Sequence, residues 1–146
     1  MNEKAAYRAF RRALPPFARC DRIENVVCAG MPDVSLCLNG VEWWIEFKAP
    51  TEPRRAGTPL FGSNHKILPT QIAWFHRCLQ AGGNCGVLIS TDKRWIFIEG
   101  QHVPNLNSMP VADICARALW TSNRKNVLWK NLFISLNSKP ALTPTN

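Results

Sequence analysis

The stretch DVSLCLNGVEWWIEFK, residues 33–48, limits what this chain can fold into more than any other. Asn39-Gly40 separates two runs of alternating residues, the pattern of a hairpin closed by a two-residue type I′ turn. Alternation puts Val34, Leu36, Leu38, Val41, Trp43, Ile45 and Phe47 on one face. Asp33, Ser35, Cys37, Glu42, Trp44, Glu46 and Lys48 fall on the other. The turn also sets the register: Leu38 pairs with Val41, so Asp33 lies opposite Glu46 with Cβ atoms about 5 Å apart. Two carboxylates so placed repel each other unless a positive charge sits between them. A hard divalent cation suits that position, since Mg²⁺ is commonly held by one or two carboxylates together with water and phosphate. Lys48, two residues past Glu46, adds an ammonium on the same side. Metal-assisted phosphodiester hydrolysis needs this set: carboxylates for the ion, and a lysine to orient a nucleophile or stabilise developing charge.

The elements around the hairpin describe a mixed sheet flanked by helices. Residues 3–14 read as a helix stopped by Pro15-Pro16. Glu3, Ala6, Tyr7, Phe10 and Leu14 share one face of it, and Lys4, Arg8, Arg11 and Arg12 another. A strand is expected at 23–28, and a long loop at 49–68 carries Arg54, Arg55, His65 and Lys66. Pro69 opens a second helix that buries Ile72, Phe75, Cys78 and Leu79 and stops at Gly82-Gly83. Strands follow at 85–90 and 94–99, giving the order α-β-β-β-α-β-β. Residues 110–120 read as helical and 126–136 fit either helix or strand. The expected organisation is one domain over 1–138, with its core at 3–99 and a C-terminal helical extension at 108–137. A disordered tail is expected at 139–146.

Charge narrows the function classes. Eighteen Lys and Arg against ten Asp and Glu leave +8, which favours a polyanionic partner such as DNA. Lys4, Arg8, Arg11, Arg12, Arg54, Arg55 and Lys66 are the candidate phosphate contacts. The six cysteines show no CxxC spacing and lie in part in apolar runs, so they read as reduced, buried thiols. His65, His76 and His102 are scattered and form no metal constellation. No apolar run approaches the ~20 residues of a membrane span, and the N-terminus has no hydrophobic stretch. A soluble, cytoplasmic protein with no membrane partner is expected.

Pro32-Asp33, a hairpin and Glu46-Phe47-Lys48 together resemble the PD-(D/E)XK nuclease superfamily. GMPDVSLCLNG, WIEFKAP and LPTQIAWFHRCLQAGG followed by GVLIS resemble its VRR-NUC and Holliday-junction-resolvase-like branch, over residues 3 to about 99. The resemblance implies a restriction-endonuclease-like core of order α-β-β-β-α-β and a Mg²⁺-dependent DNA endonuclease, with Mn²⁺ as a substitute ion. It implies Asp33 and Glu46 as metal ligands, the Phe47 carbonyl as a further ligand, Lys48 as the catalytic lysine and Gln71 beside the site. It also implies an acid on the first helix facing the metal. Glu3 matches that acid in chain order, and its place on the apolar face points it inward; Glu24 is the rival. Stand-alone domains resembling this branch are often dimeric and act on branched or flapped DNA in phages and mobile elements. A homodimer, in the host cytoplasm if phage-encoded, is the corresponding expectation. A non-catalytic nucleic-acid-binding module with the same fold is the second reading, and an accessory binding a protein partner the third.

Overall fold

Six strands form one sheet whose spatial order is the chain order, β1 to β6. The structure, a computed structural model, describes residues 2–24, 28–62 and 65–138. The first helix, α1 (Glu3–Ala13), begins where the Asn2 side-chain oxygen accepts the Ala5 N–H and ends before the proline pair. β1 (Arg19–Arg22), β2 (Val34–Leu38) and β3 (Val41–Lys48) run as an antiparallel meander. A loop and α2 (Pro69–Gln80) then carry the chain to β4 (Cys85–Ser90), which lies parallel to β3. β5 (Arg94–Glu99) and β6 (Trp120–Asn123) continue the sheet antiparallel. Between them lie a 3₁₀ segment, Gly100–Ser108, and α3 (Val111–Arg117); α4 (Trp129–Asn137) closes the described chain.

Two cores sandwich the sheet. The hairpin's apolar face meets α1 and α4, with Phe10 edge-on to Phe47 at 5.6 Å and the Trp43 indole donating to the Leu136 carbonyl at 3.0 Å. On the other face, Phe75 of α2, Val103 and Leu106 of the 3₁₀ segment and Ile114 of α3 cover Val87, Ile89, Ile96 and Ile98. Every residue of β4 is buried, as expected for a central strand covered on both faces. The 49–68 loop contributes to this second core. Leu60, Phe61 and Ile67 are buried, and Asn107 holds the Ile67 backbone through both its N–H and its carbonyl. Just past β3, the buried Glu52 accepts from Arg94 Nε at 2.9 Å and from Thr91 Oγ1 at 2.6 Å, tying the exit of β3 to the β4–β5 turn.

Two expectations need correction. The first strand is Arg19–Arg22, not 23–28; residues 25–27 lie outside those described. Its ladder with β2 ends where the Ile23 N–H meets the Asp33 carbonyl, and the chain then turns towards Gly30. As an edge strand it carries Arg19, Asp21 and Arg22 and so lacks an apolar signature. The stretch 108–137 is not wholly helical, because Trp120–Asn123 pairs with β5, with Trp120 and Ser122 inward. Among the described residues, no helix is long and apolar enough to cross a membrane.

Candidate active site

Local backbone chemistry sets the first distance. Asn39 and Gly40 adopt φ of 51° and 80°, the pair of positive values that a type I′ turn needs, and Leu38 pairs with Val41 as expected. The ladder runs on to Val34↔Ile45, which brings Asp33 across from Glu46. Asp33 Oδ2 accepts the Phe47 N–H at 2.9 Å, so the aspartate is anchored on the strand that carries the glutamate.

Glu46 lies under α2 and is only 5% exposed. Gln71 Nε2 donates to its Oε2 at 2.7 Å, and Lys48 Nζ sits 3.7 Å from the same oxygen. Gln71 is itself held, because its Oε1 accepts the Leu68 N–H at 2.8 Å, capping the helix that Pro69 opens. Burial, and then the charge of Asp33, push the Glu46 carboxyl up to about 8, against the pull of Lys48; Glu3 adds a smaller push in the same direction. A carboxyl raised in this way holds its proton near neutrality unless a cation arrives.

Gly30 brings the Asp33 loop and α2 together. It has φ +82°, and a Cβ there would stand 2.1 Å from the Thr70 carbonyl oxygen. Only glycine lets the loop before Pro32-Asp33 lie against the first turn of α2, one residue from Gln71.

A cleft of about 230 Å³ opens on the α1 side of this group, lined by Glu3, Lys4, Tyr7, Arg22, Asp33 and Phe47. Glu3 was expected to point into the interior, but it is exposed and lines the mouth of the cleft. At the first turn of α1 the apolar face has run out, so the carboxylate stays in water. Among the described residues, no three His, Cys, Asp or Glu side chains are grouped to hold a metal. Glu24, the rival acid, is also exposed. The sequence reading put Tyr7 on the apolar face of α1 without placing it at the site, and missed Arg22; the Arg22 guanidinium lies 5.4 Å over the Tyr7 ring. Alternation along β1 would have located Arg22 had that strand carried an apolar signal.

Of the other expected residues, Lys4 lines the cleft and the rest lie apart from this group. Lys4, Arg8 and Arg12 are exposed on α1, while Arg11 donates to the Cys20 carbonyl and so braces β1. Arg54, Arg55 and Lys66 are exposed on the long loop. Trp44 packs against Trp74 of α2, with ring centroids 5.4 Å apart, rather than against the acids. None of the six cysteines is in a disulfide.

The site's donors are oxygens: a half-buried and a buried carboxylate on facing strands, with the Phe47 main chain beside them. That set fits a hard divalent cation. No family model matches the sequence, and no curated protein does. Among solved structures, the chain is similar to Archaeoglobus fulgidus Hjc, a Holliday junction resolvase from an archaeal hyperthermophile. The TM-score is 0.45 at 14% identity, over 68% of this chain and 74% of that one.

Proposed function

We propose that this chain is a Mg²⁺-dependent DNA endonuclease whose centre is Asp33, Glu46 and Lys48. The observation that carries the reading is Glu46: a carboxyl buried opposite Asp33, raised to about 8 and hydrogen-bonded by Gln71. Burying a carboxyl next to another acid costs free energy, and structure alone gains nothing from that placement. Such placements recur where a site awaits a cation.

Asp33 and Glu46 would hold the ion, with the Phe47 carbonyl as a further oxygen donor. When bound, Mg²⁺ supplies Lewis acidity to the phosphate and lowers the pKa of water. Gln71 orients the Glu46 carboxylate and keeps one oxygen from turning away. Lys48, with its amine 3.7 Å from Glu46 and its stem buried, places one positive charge where the phosphate oxygens gain negative charge. Glu3, at the cleft mouth, would act through solvent on whatever occupies the centre. Lys4 at the cleft, and Arg8 and Arg12 further along α1, would meet DNA phosphates. The sequence resemblance favours branched or flapped DNA and a homodimer.

A panel of linear, flapped and four-way DNA incubated with Mg²⁺, Mn²⁺ or EDTA tests the reading. Cleavage should need the metal and vanish in Asp33→Ala, Glu46→Ala and Lys48→Ala proteins that keep their wild-type circular dichroism. Wild-type cleavage by Asp33→Ala would reject the assignment. DNA binding with no cleavage of any substrate would favour the non-catalytic module.

A further inference from the structure

Of the six tryptophans, Trp44 and Trp74 meet at an open groove, and the other four are buried or packed among aromatic rings. Trp43, Trp95 and Trp120 are buried, and Trp129 is packed among Phe10, Trp95, Trp120 and Phe133. Trp44 and Trp74 are half-buried and frame a groove of about 350 Å³ with Arg77, Cys78, Ala81 and Gly83. No acid lines the groove, and Arg77 is exposed with no ion pair among the described residues.

Its place in the fold ties it to the centre. Trp44 is two residues before Glu46 on the same face of β3, about 6.6 Å along the strand. Trp74 is three residues past Gln71, about 4.5 Å along α2. The Glu46–Gln71 hydrogen bond joins that same strand and helix, so groove and centre are neighbours on one strand–helix pair.

Resting on the nuclease reading, we propose that this groove receives an unpaired nucleobase of the substrate strand, with Arg77 against its phosphate. Tilted aromatic faces accept any base by stacking, and an adjacent guanidinium adds charge and cation–π attraction. Bases inside a duplex are already stacked and cannot enter, so the groove selects DNA with single-stranded or splayed nucleotides near the cut. A second copy of the chain fits less well. A two-fold contact would set this positive patch against itself in a chain of net charge +8.

Anisotropy of labelled oligothymidylate and of a blunt duplex, in EDTA so that nothing is cleaved, tests the proposal. Trp74→Leu keeps an apolar side chain at the groove and removes the π face. It should weaken oligothymidylate binding about tenfold and leave duplex binding within about twofold. Trp74→Phe should recover most of the loss, and Arg77→Ala should weaken single-strand binding as well. Equal losses on both DNAs, or none on either, would overturn the proposal, as would Trp74→Leu turning a dimer into a monomer in sedimentation without changing single-strand affinity. Wild-type single-strand preference with no Mg²⁺-dependent cleavage would reject the nuclease reading and leave the base site standing.

Discussion

At the scale of single residues, Glu46 makes stability depend on pH in an unusual direction. Its carboxyl titrates near 4.5 in the unfolded chain and about 8 in the folded, metal-free one. Between those values the folded form keeps a proton that the unfolded form has lost, so stability falls as pH rises and levels off above about 8. Thermal melts in EDTA should show the melting temperature dropping across that window. Glu46→Gln, which keeps the size and the hydrogen bond to Gln71 while removing the titration, should flatten the curve. Saturating Mg²⁺ should raise the wild-type melting temperature most at the alkaline end. A wild-type melting temperature that climbs from pH 5 to pH 8 in EDTA would contradict the raised carboxyl.

At the scale of elements, the contact between the Gly30 loop and α2 is the most sensitive joint. Gly30→Ala places a Cβ against the Thr70 carbonyl at a positive φ, so it should cost about 2 kcal/mol or more in urea denaturation. The main chain must back away from α2 and take Asp33 with it, so cleavage should fall even at temperatures where the variant stays folded. An unchanged urea midpoint would show that the loop yields freely. The hairpin, α1, α2, β4 and β5 were all readable in advance, because each carries its own period and its own stop: Asn39-Gly40, Pro15-Pro16, Gly82-Gly83. β1 and β6 were not, since four-residue edge strands draw their conformation from a neighbour rather than from their own pattern. The site divides the same way. The pairing of Asp33 with Glu46 followed from turn length, whereas the burial of Glu46 depends on α2 lying across β3, a tertiary fact. Arg22 and Tyr7 come from an edge strand and a half-buried helix face, and no local pattern joins them.

At the scale of the whole molecule, the exposed positives of α1 predict how DNA binding responds to salt. Replacing Lys4, Arg8 and Arg12 together with Ala should lower affinity and flatten the plot of log affinity against log salt by about one unit per lost phosphate contact. Arg11 is left out because it braces β1. An unchanged slope would make the stripe an ordinary solvated face. The sheet order has a consequence for how the molecule is made. β1–β3 and β4–β6 are each antiparallel meanders of chain neighbours, and they join along a single parallel seam, β3 against β4. Short-range pairing closes quickly, while the seam must wait for residues 49–84 to loop round. Asp33, Glu46 and Lys48 all sit on the first meander, yet Glu46 leaves water only when α2 and the seam arrive. A nascent chain therefore displays three hydrated, ordinary side chains, and the proposed cutting centre comes into being only with the long-range docking of α2 and the seam.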